Sequence, residues 1–519
     1  MLSGYPVAFV LGGVSLLVAL MGGLIGVFDL ALLQAFPQRI YGIMTNEVLI
    51  AIPMFVFMGV MLERSKLADE LLENMGRLFG GRAGGLAYSV ILVGGLLAAS
   101  TGIAGASVVT LGLISLPVML RRGYSPSLSC GIIAATGTLG QIIPPSIVLV
   151  VLGDQLAVAY QNAQFEQGIF SPETVSVNEL FAGAIVPGLV LVGLYLSYVL
   201  IVSIIKPNSV PSFASEGEKN LDGNLRIISA IVSSLIAPLL LIVAVLGSIL
   251  SGIATATEAA AMGGAGSIML AAYKASPAAR KKILVGALSF ALMIIMIFTA
   301  EDNNLETGSS MRSVSGLFQL FLFVVFSLAF VQALFILYRS SSTTRGGVLF
   351  EVVYATMRIS SMVFIILIGA TMFSLIFNGL GGHELVEHWL QNIPGGTFAA
   401  VFSVMALMFF LGFFLDYMEI VFIVIPIVAP VLLQMEITPG VPMSPVWLGV
   451  MMGVNLQTSY LTPPFGFALF FLRGVVPETV KTRDIYTGVI PFVSIQLLCI
   501  VVISLFPKLA TWLPSMLYD

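Results

Sequence analysis

The run "IISAIVSSLIAPLLLIVAVLGSIL", Ile227 to Leu250, carries no charge. It exceeds the ~20 apolar residues an α-helix needs to cross a bilayer. In hydrocarbon every backbone N–H and C=O must find its partner inside the protein, which leaves helices or closed barrels. Comparable runs recur along the 519 residues, and 58% of the chain is hydrophobic against 9% charged. Soluble domains carry about 25% charged residues. The fold class read from this is an all-α polytopic membrane protein. A net charge of −4 gives no electrostatic footprint for nucleic acid. Cys130 and Cys499 both fall in apolar runs, so no disulfide framework is implied. The opening "MLSGYPVAFV" lacks the basic flank of a cleavable signal, and the first span is expected to stay in the protein.

Complete spans are expected near 5–27, 46–63, 127–153, 180–205, 227–247, 249–273, 283–300, 314–338, 352–379, 446–472 and 485–507. Basic residues gather in a few loops, among them Arg64 to Arg82, Arg121 with Arg122, Lys206 to Arg226, Lys274 to Lys282, and Arg473 to Arg483. With a cytoplasmic N-terminus the positive-inside rule places every cluster inside and leaves Arg39, Arg312 and Lys508 outside. Two segments resist a single crossing. Gly84–Leu120 has basic residues at both ends, whereas Thr397–Leu433 has only acidic or neutral ones. Each has two apolar arms around a small or polar tip, "ASTGIAGAS" (Ala99 to Ser107) and "LDYMEI" (Leu415 to Ile420). Such arms suit re-entrant hairpins, which persist only when buried in protein or lining a cavity.

A proline pair follows each hairpin. "SPSLSCGIIAATGTLGQIIPPS" (Ser125 to Ser146) aligns without a gap on "SPVWLGVMMGVNLQTSYLTPPF" (Ser444 to Phe465). Proline removes a backbone donor and clashes with the preceding turn. Upstream, "DELLEN" (Asp69 to Asn74) resembles "HELVEH" (His383 to His388). Each half therefore reads amphipathic arm, re-entrant hairpin, broken span, and the charge pattern puts the hairpins on opposite sides. This is an inverted repeat with broken helices meeting near the midplane, where Pro144, Pro145, Pro463 and Pro464 free backbone groups to act as ligands. The bland alternative is that each Pro only kinks its helix, and that the glycines of "GGLLAASTGIAG" serve helix packing. The expected units are N-terminal scaffold spans (1–63), a first transport core (64–160), an outward loop, span and cytoplasmic loop (161–226), scaffold spans (227–282), an extra helix pair (283–345), a scaffold span (346–382), a second transport core (383–475) and a C-terminal span (476–519).

The chain resembles the large membrane subunit of TRAP transporters over nearly its whole length. The resemblance rests on "AIPMFVFMGVMLE", "STGIAGASV", "PVMLRRGYSP", "GTLGQIIPPSI", "LFAGAIVPGLV", "GIATATEAAA", "FLDYMEIVFIVIPIVAPVL" and "VNLQTSYLTPPFGFALF". It implies a sodium-coupled elevator carrier for organic acids in the inner membrane of a bacterial or archaeal cell. Implied partners are a separate small four-helix membrane subunit and an extracytoplasmic solute-binding protein; no cofactor is implied beyond sodium as coupling ion. The second half is similar to the longer branch labelled mannitol/chloroaromatic, associated with 2-oxo acids and related carboxylates. Three features depart from the family pattern: the abrupt start at Met1, the pair at Ile283–Arg345, and a long outward loop, Asp154 to Glu179.

Sodium ligands are expected at unwound backbone and hydroxyls. In the first half these are Ser100, Thr101, Gly102, Gly105 and Ser107 at the tip, facing Thr136, Gly137 and Thr138. In the second, Asp416 faces Asn455, Thr458, Ser459 and Thr462. Ser107, Thr138, Thr458 and Thr462 are also the candidates for substrate. Asp416 stands out, because a carboxylate inside a span is functional by default; its bland reading is a helix cap. Glu419 and Glu258 are weaker candidates. An anionic substrate would rely on half-helix amides, hydroxyls and bound sodium. His383 and His388 have no third ligand nearby, so only sodium is expected as metal. A membrane protease would need a Ser with a His or Lys base, and none is legible. A divalent-anion carrier acting without a binding protein, or a channel, is the remaining alternative.

Overall fold

The computed structural model describes residues 5–65, 83–211, 221–301, 314–340, 347–438 and 440–518. Within these, the side chains of Ser100, Thr438 and residues 221–235, 294–295, 297–301 and 314–316 fall outside the description. So do the expected arm Asp69 to Asn74 and the loop between the two helices of the extra pair. The outer surface is apolar. Leu24, Ile204, Leu240, Leu328 and Phe402 all point outward from long helices. A soluble protein rarely leaves a large contiguous apolar surface uncovered, and here it is the face offered to lipid.

The expected spans appear as helices Val7–Ile25, Ala51–Arg64, Val177–Ile205, Leu221–Leu250, Ala256–Ala275, Arg280–Glu301, Val314–Arg339, Gly347–Gly379 and Thr482–Leu505. The second has a partner the sequence reading missed, Phe36–Met44, and the chain bends by 57° between them. Arg280–Glu301 and Val314–Arg339 lie side by side, Phe290 stacking on Phe326 with ring centroids 4.5 Å apart. A further helix, Lys508–Tyr518, follows the last span. The chain is not purely helical, because Glu436–Thr438 and Val441–Pro442 pair as a small antiparallel ribbon after the second hairpin.

The long outward loop needs correction. Ile147–Glu166 is one helix, so only residues 167–176 form the connection. Leu156, Ala159 and Ala163 are buried along it and carry the helix past the expected end. Gly168, at φ 81°, follows the helix end in the left-handed region that glycine adopts without strain. Asp154, expected in the loop, lies within the helix and accepts from Asn46 Nδ2 at 2.9 Å.

Helix Val177–Ile205, at about 1.5 Å per residue, is long enough to reach both ends of the molecule, and it orients the two hairpins. The first hairpin has arms Gly85–Thr101 and Ala104–Arg121. The second arm alone is long and apolar enough to cross a membrane, yet both ends of the hairpin meet one loop. Gly84 N–H donates to Val210 O at 3.2 Å, and Ser125 N–H donates to Ser209 O at 3.2 Å. That loop lies just beyond Ile205. The second hairpin has arms Gly396–Leu411 and Tyr417–Leu433. Its ends also meet: Thr397 Oγ1 donates to Glu436 O at 2.7 Å. Gln434 Nε2 donates to Glu166 Oε2, and His383 Nε2 lies 3.4 Å from Glu166 Oε1. Glu166 precedes the opposite end of Val177–Ile205. The hairpins enter from opposite ends, as an inverted repeat requires.

Arg64, Arg121, Arg122 and Lys206 stand at the end that holds the first hairpin, where Arg64 pairs with Glu351 at 3.7 Å. The positive-inside rule makes that end cytoplasmic. Cysteines placed at Ala83 and Arg122 should therefore both label from the cytoplasm, and those at Glu387 and Glu436 from outside. The native Cys130 and Cys499 are buried and should stay silent. Labelling of Ala83 and Arg122 from opposite faces would remove the hairpin.

Candidate functional site

Each hairpin covers a break in the span that follows it. The first broken span runs as Pro126–Thr138, a short 3-10 turn Leu139–Gln141, the break, and Ile147–Glu166. The second runs as Pro445–Leu461, the break, and Phe467–Arg473. Both proline pairs lie in the breaks, each joined by a cis peptide bond. Side chains take up part of the freed backbone: Ser146 Oγ donates to Gln141 O at 2.7 Å, Thr462 Oγ1 to Thr458 O at 2.7 Å, and Tyr486 Oη to Pro464 O at 3.1 Å.

Hairpin and span fit through small residues. A methyl group on Gly140 would lie 2.3 Å from Ala98 O, in the first arm of the first hairpin. In the other half Ser459, the counterpart of Gly140, packs on Gly412 at the end of the corresponding arm, where a methyl would meet Ser459 Oγ at 2.2 Å. The hairpins also cross between repeats. Arm Ala104–Arg121 packs on Phe467–Arg473, and arm Tyr417–Leu433 packs on Ile147–Glu166.

At the first tip Gly102 turns the chain at φ 61°. Thr101 Oγ1 and Ser107 Oγ lie 2.7 Å apart, both buried, beside a cavity of about 10 Å³ that Glu63 and Thr110 also line. Of the tip residues, Gly102 packs on Ile147 and Gly105 on Phe471, both beyond the breaks. Gly137 packs on the backbone of Val108, the residue after Ser107, and the Thr136 methyl fits against Gly94. Thr136 Oγ1 is buried without a hydrogen-bond partner. Ser100 belongs to the arm helix, and its side chain is outside the description.

At the second tip Asp416 occupies the N-cap position of Tyr417–Leu433. Glu419 reaches back, its Oε2 accepting from Asp416 N–H at 3.2 Å. A cap position is therefore real, yet Asp416 Oδ1 is buried with no hydrogen-bond partner. Nearby hydroxyls are spent on their own helices: Thr458 Oγ1 on Val454 O at 2.8 Å and Ser459 Oγ on Leu456 O at 2.9 Å. A hydroxyl that donates its hydrogen this way keeps lone pairs for a cation. Asn455 instead pins the hairpin, Nδ2 donating to Met405 O at 2.8 Å. Glu258 caps Ala256–Ala275 with Thr255 and is exposed, which gives it a structural job.

Sequence reasoning missed two glutamines. Gln457 Nε2 donates to Thr138 Oγ1 at 3.3 Å, a pair separated by 319 residues. That separation is the offset of the repeat alignment, Ser125 on Ser444. Equivalent positions touch only on the pseudo-two-fold axis, so this bond marks it. Gln457 Oε1, Gln141 Oε1 and Gln141 Nε2 are buried without partners. The alignment already placed Gln457 opposite Thr138, which was the available signal.

The fold and sequence both have relatives. The crystal structure of the Alcanivorax borkumensis YdaH transporter superposes with a TM-score of 0.59 at 14% identity, covering 99% of each chain. The C4-dicarboxylate TRAP transporter large permease protein DctM of Vibrio cholerae is 26% identical over all of this chain and 95% of its own length. The protein of the same description from Rhodobacter capsulatus is 26% identical over all of this chain and 97% of its own. A family model described as "Tripartite ATP-independent periplasmic transporter, DctM component" matches residues 1–303 and 312–509. Both halves of the inverted repeat fall within that match, and the chain belongs to the DctM component family of tripartite ATP-independent periplasmic transporters.

Proposed function

We propose that this subunit imports an organic acid on a sodium gradient, with the hairpins and broken spans moving as one block. Family membership makes it a multi-pass membrane transport component, not an enzyme. It also favours a tripartite system over a carrier that needs no binding protein. The partners are a small four-helix subunit in the inner membrane and an extracytoplasmic binding protein that delivers the acid. The C4-dicarboxylate relatives support a carboxylate as cargo.

The observation that carries the sodium reading is Asp416: a carboxylate oxygen deep in the protein with nothing paired to it. The carboxylate otherwise meets only backbone N–H groups at the head of its helix; a buried carboxylate oxygen left unpaired is expensive, and a bound cation offsets that cost. The first tip offers neutral oxygens from Thr101, Ser107 and the backbone around Gly102, and the Glu63 carboxylate lines the same small cavity. Anionic cargo between the breaks would be held by half-helix amides and the two ions, since the described breaks contain no Lys or Arg. Block motion is supported by packing. Ala256–Ala275 and Gly347–Gly379 each pack on Ala51–Arg64 as a frame, while the hairpins pack on the broken spans, the first on Pro126–Thr138 of its own repeat and the second on Ile147–Glu166 of the other.

Uptake into proteoliposomes holding both membrane subunits, with the binding protein outside, tests this. Asp416→Asn keeps the shape and removes the charge. It should raise the sodium concentration for half-maximal uptake by about tenfold, equivalent to ~1.4 kcal/mol. An unchanged sodium dependence in a well-inserted variant returns Asp416 to a pure cap.

The proline pairs supply a second test. If they only kink helices, Ala-Ala at Pro144–Pro145 or Pro463–Pro464 should be tolerated or stabilising, because Pro costs about 3 kcal/mol against Ala in a helix interior. If they hold half-helices apart, either double variant should insert and fold yet lose sodium-driven uptake, with binding-protein docking kept. Normal uptake by both would mean the breaks do not build the ion sites.

A further inference from the structure

Leu221–Leu250 and Arg280–Glu301 each pack on Ala256–Ala275. Across that floor they stand apart as two walls around a cavity of about 980 Å³. The cavity is an open groove: Leu240 and Val243 on one wall and Leu284 and Leu288 on the other are each more than half exposed. The polar side chains that line it are Ser248, Ser251 and Tyr273. Ser248 Oγ donates to Val245 O and Ser251 Oγ to Gly247 O, both at 2.8 Å, so neither hydroxyl hydrogen is offered to a ligand. Along most of its length the groove therefore suits hydrocarbon.

Its two ends differ. Thr257 Oγ1 donates to Glu47 O at 2.9 Å, and Gly263 lies against Met58. The floor thus runs alongside Ala51–Arg64 in the same direction and brings Tyr273 to the Arg64 end, the cytoplasmic one. Arg280 stands at that mouth. Its Nε donates to Tyr273 O at 3.3 Å, and its Cζ lies 5.3 Å from the centre of the Tyr273 ring. Arg280 and Lys281, both exposed, precede Leu284 by four and three residues, on the helical face that forms the wall. An apolar helix from a partner would fill the groove but leave this basic mouth unmatched. Basic residues between spans on the cytoplasmic side receive acidic lipid headgroups. We propose that the groove binds an anionic phospholipid of the cytoplasmic leaflet, with its acyl chains between the walls and its phosphate on Arg280 and Lys281. Bound there, the lipid bridges the two walls over the floor helix.

The test is thermal unfolding of the delipidated complex of both membrane subunits in neutral detergent. It is titrated with dioleoylphosphatidylglycerol or with dioleoylphosphatidylcholine, which share their chains and differ in charge. The anionic lipid should half-saturate at a concentration about tenfold lower or more, as expected where two basic residues meet an acidic headgroup. Arg280→Gln combined with Lys281→Gln should bring the two lipids together. Lys282→Gln should keep the preference, because Lys282 shares its face with Gly286, which packs on Ala329. Ala287→Trp, which fills the groove, should remove stabilisation by either lipid while the small subunit stays bound. Equal half-saturation by the two lipids overturns the proposal, and this comparison needs no variant. So does a preference unchanged in the double variant. Loss of the small subunit from the Ala287→Trp complex, or dissociation of a dimer of this chain by that variant, would show a protein helix in the groove and overturn it too.

Discussion

Everything in this protein answers one constraint: a backbone opened inside hydrocarbon must have its polar groups met by protein. Two spans are broken at proline pairs, and three hydroxyls, on Ser146, Thr462 and Tyr486, return hydrogen bonds to the opened chain. The hairpins do the rest by closing over the breaks, and they reach close enough only because Gly140 and Gly412 leave no side chain in the way. Carbonyls and amides still available after this covering are the material from which an ion or an acid can be bound. A break of this kind costs stability in any protein without a ligand to hold.

The two halves share a plan but differ in chemistry. The first tip is a glycine turn with neutral oxygens, while the second carries Asp416 and Glu419. Gln141 has Tyr460 as its counterpart, a ring stacked on Phe467. The first break is almost wholly buried, whereas Pro464 and Phe465 of the second are exposed. The inverted repeat supplies the geometry; divergence of its copies supplies polarity.

Much of this was legible in the residues. The hairpins could be read because short loops keep their basic residues on one side, and Arg122 with Lys206 flags the first hairpin's closing end. The repeat could be read because Ser-Pro and Pro-Pro keep their spacing. Side-chain direction was not legible. Thr136, Thr138 and Gly137 sit within three consecutive residues, but helical rotation sends Thr136 to Gly94, Gly137 to Val108 and Thr138 to Gln457. Gln141 and Gln457 were passed over for a different reason. An amide in an apolar run carries no charge to mark it, and only the hydrogen-bond inventory shows that its partners are missing. The extension of helix Ile147–Glu166 was hidden by the polar residues Asp154 and Gln155, whose mutual bond and bond to Asn46 let them sit inside a packed helix.

The central claim is that sodium binds at both breaks at once. Hydrogen–deuterium exchange of the two-subunit complex, compared in sodium and in choline, measures it at the backbone itself. Sodium should slow exchange at the amides of residues 139–149 and 459–469 and at the tips near Gly102 and Asp416, with the lipid-facing spans unchanged. Exchange that is the same in both salts at the two breaks, in a complex that still transports, would contradict the account.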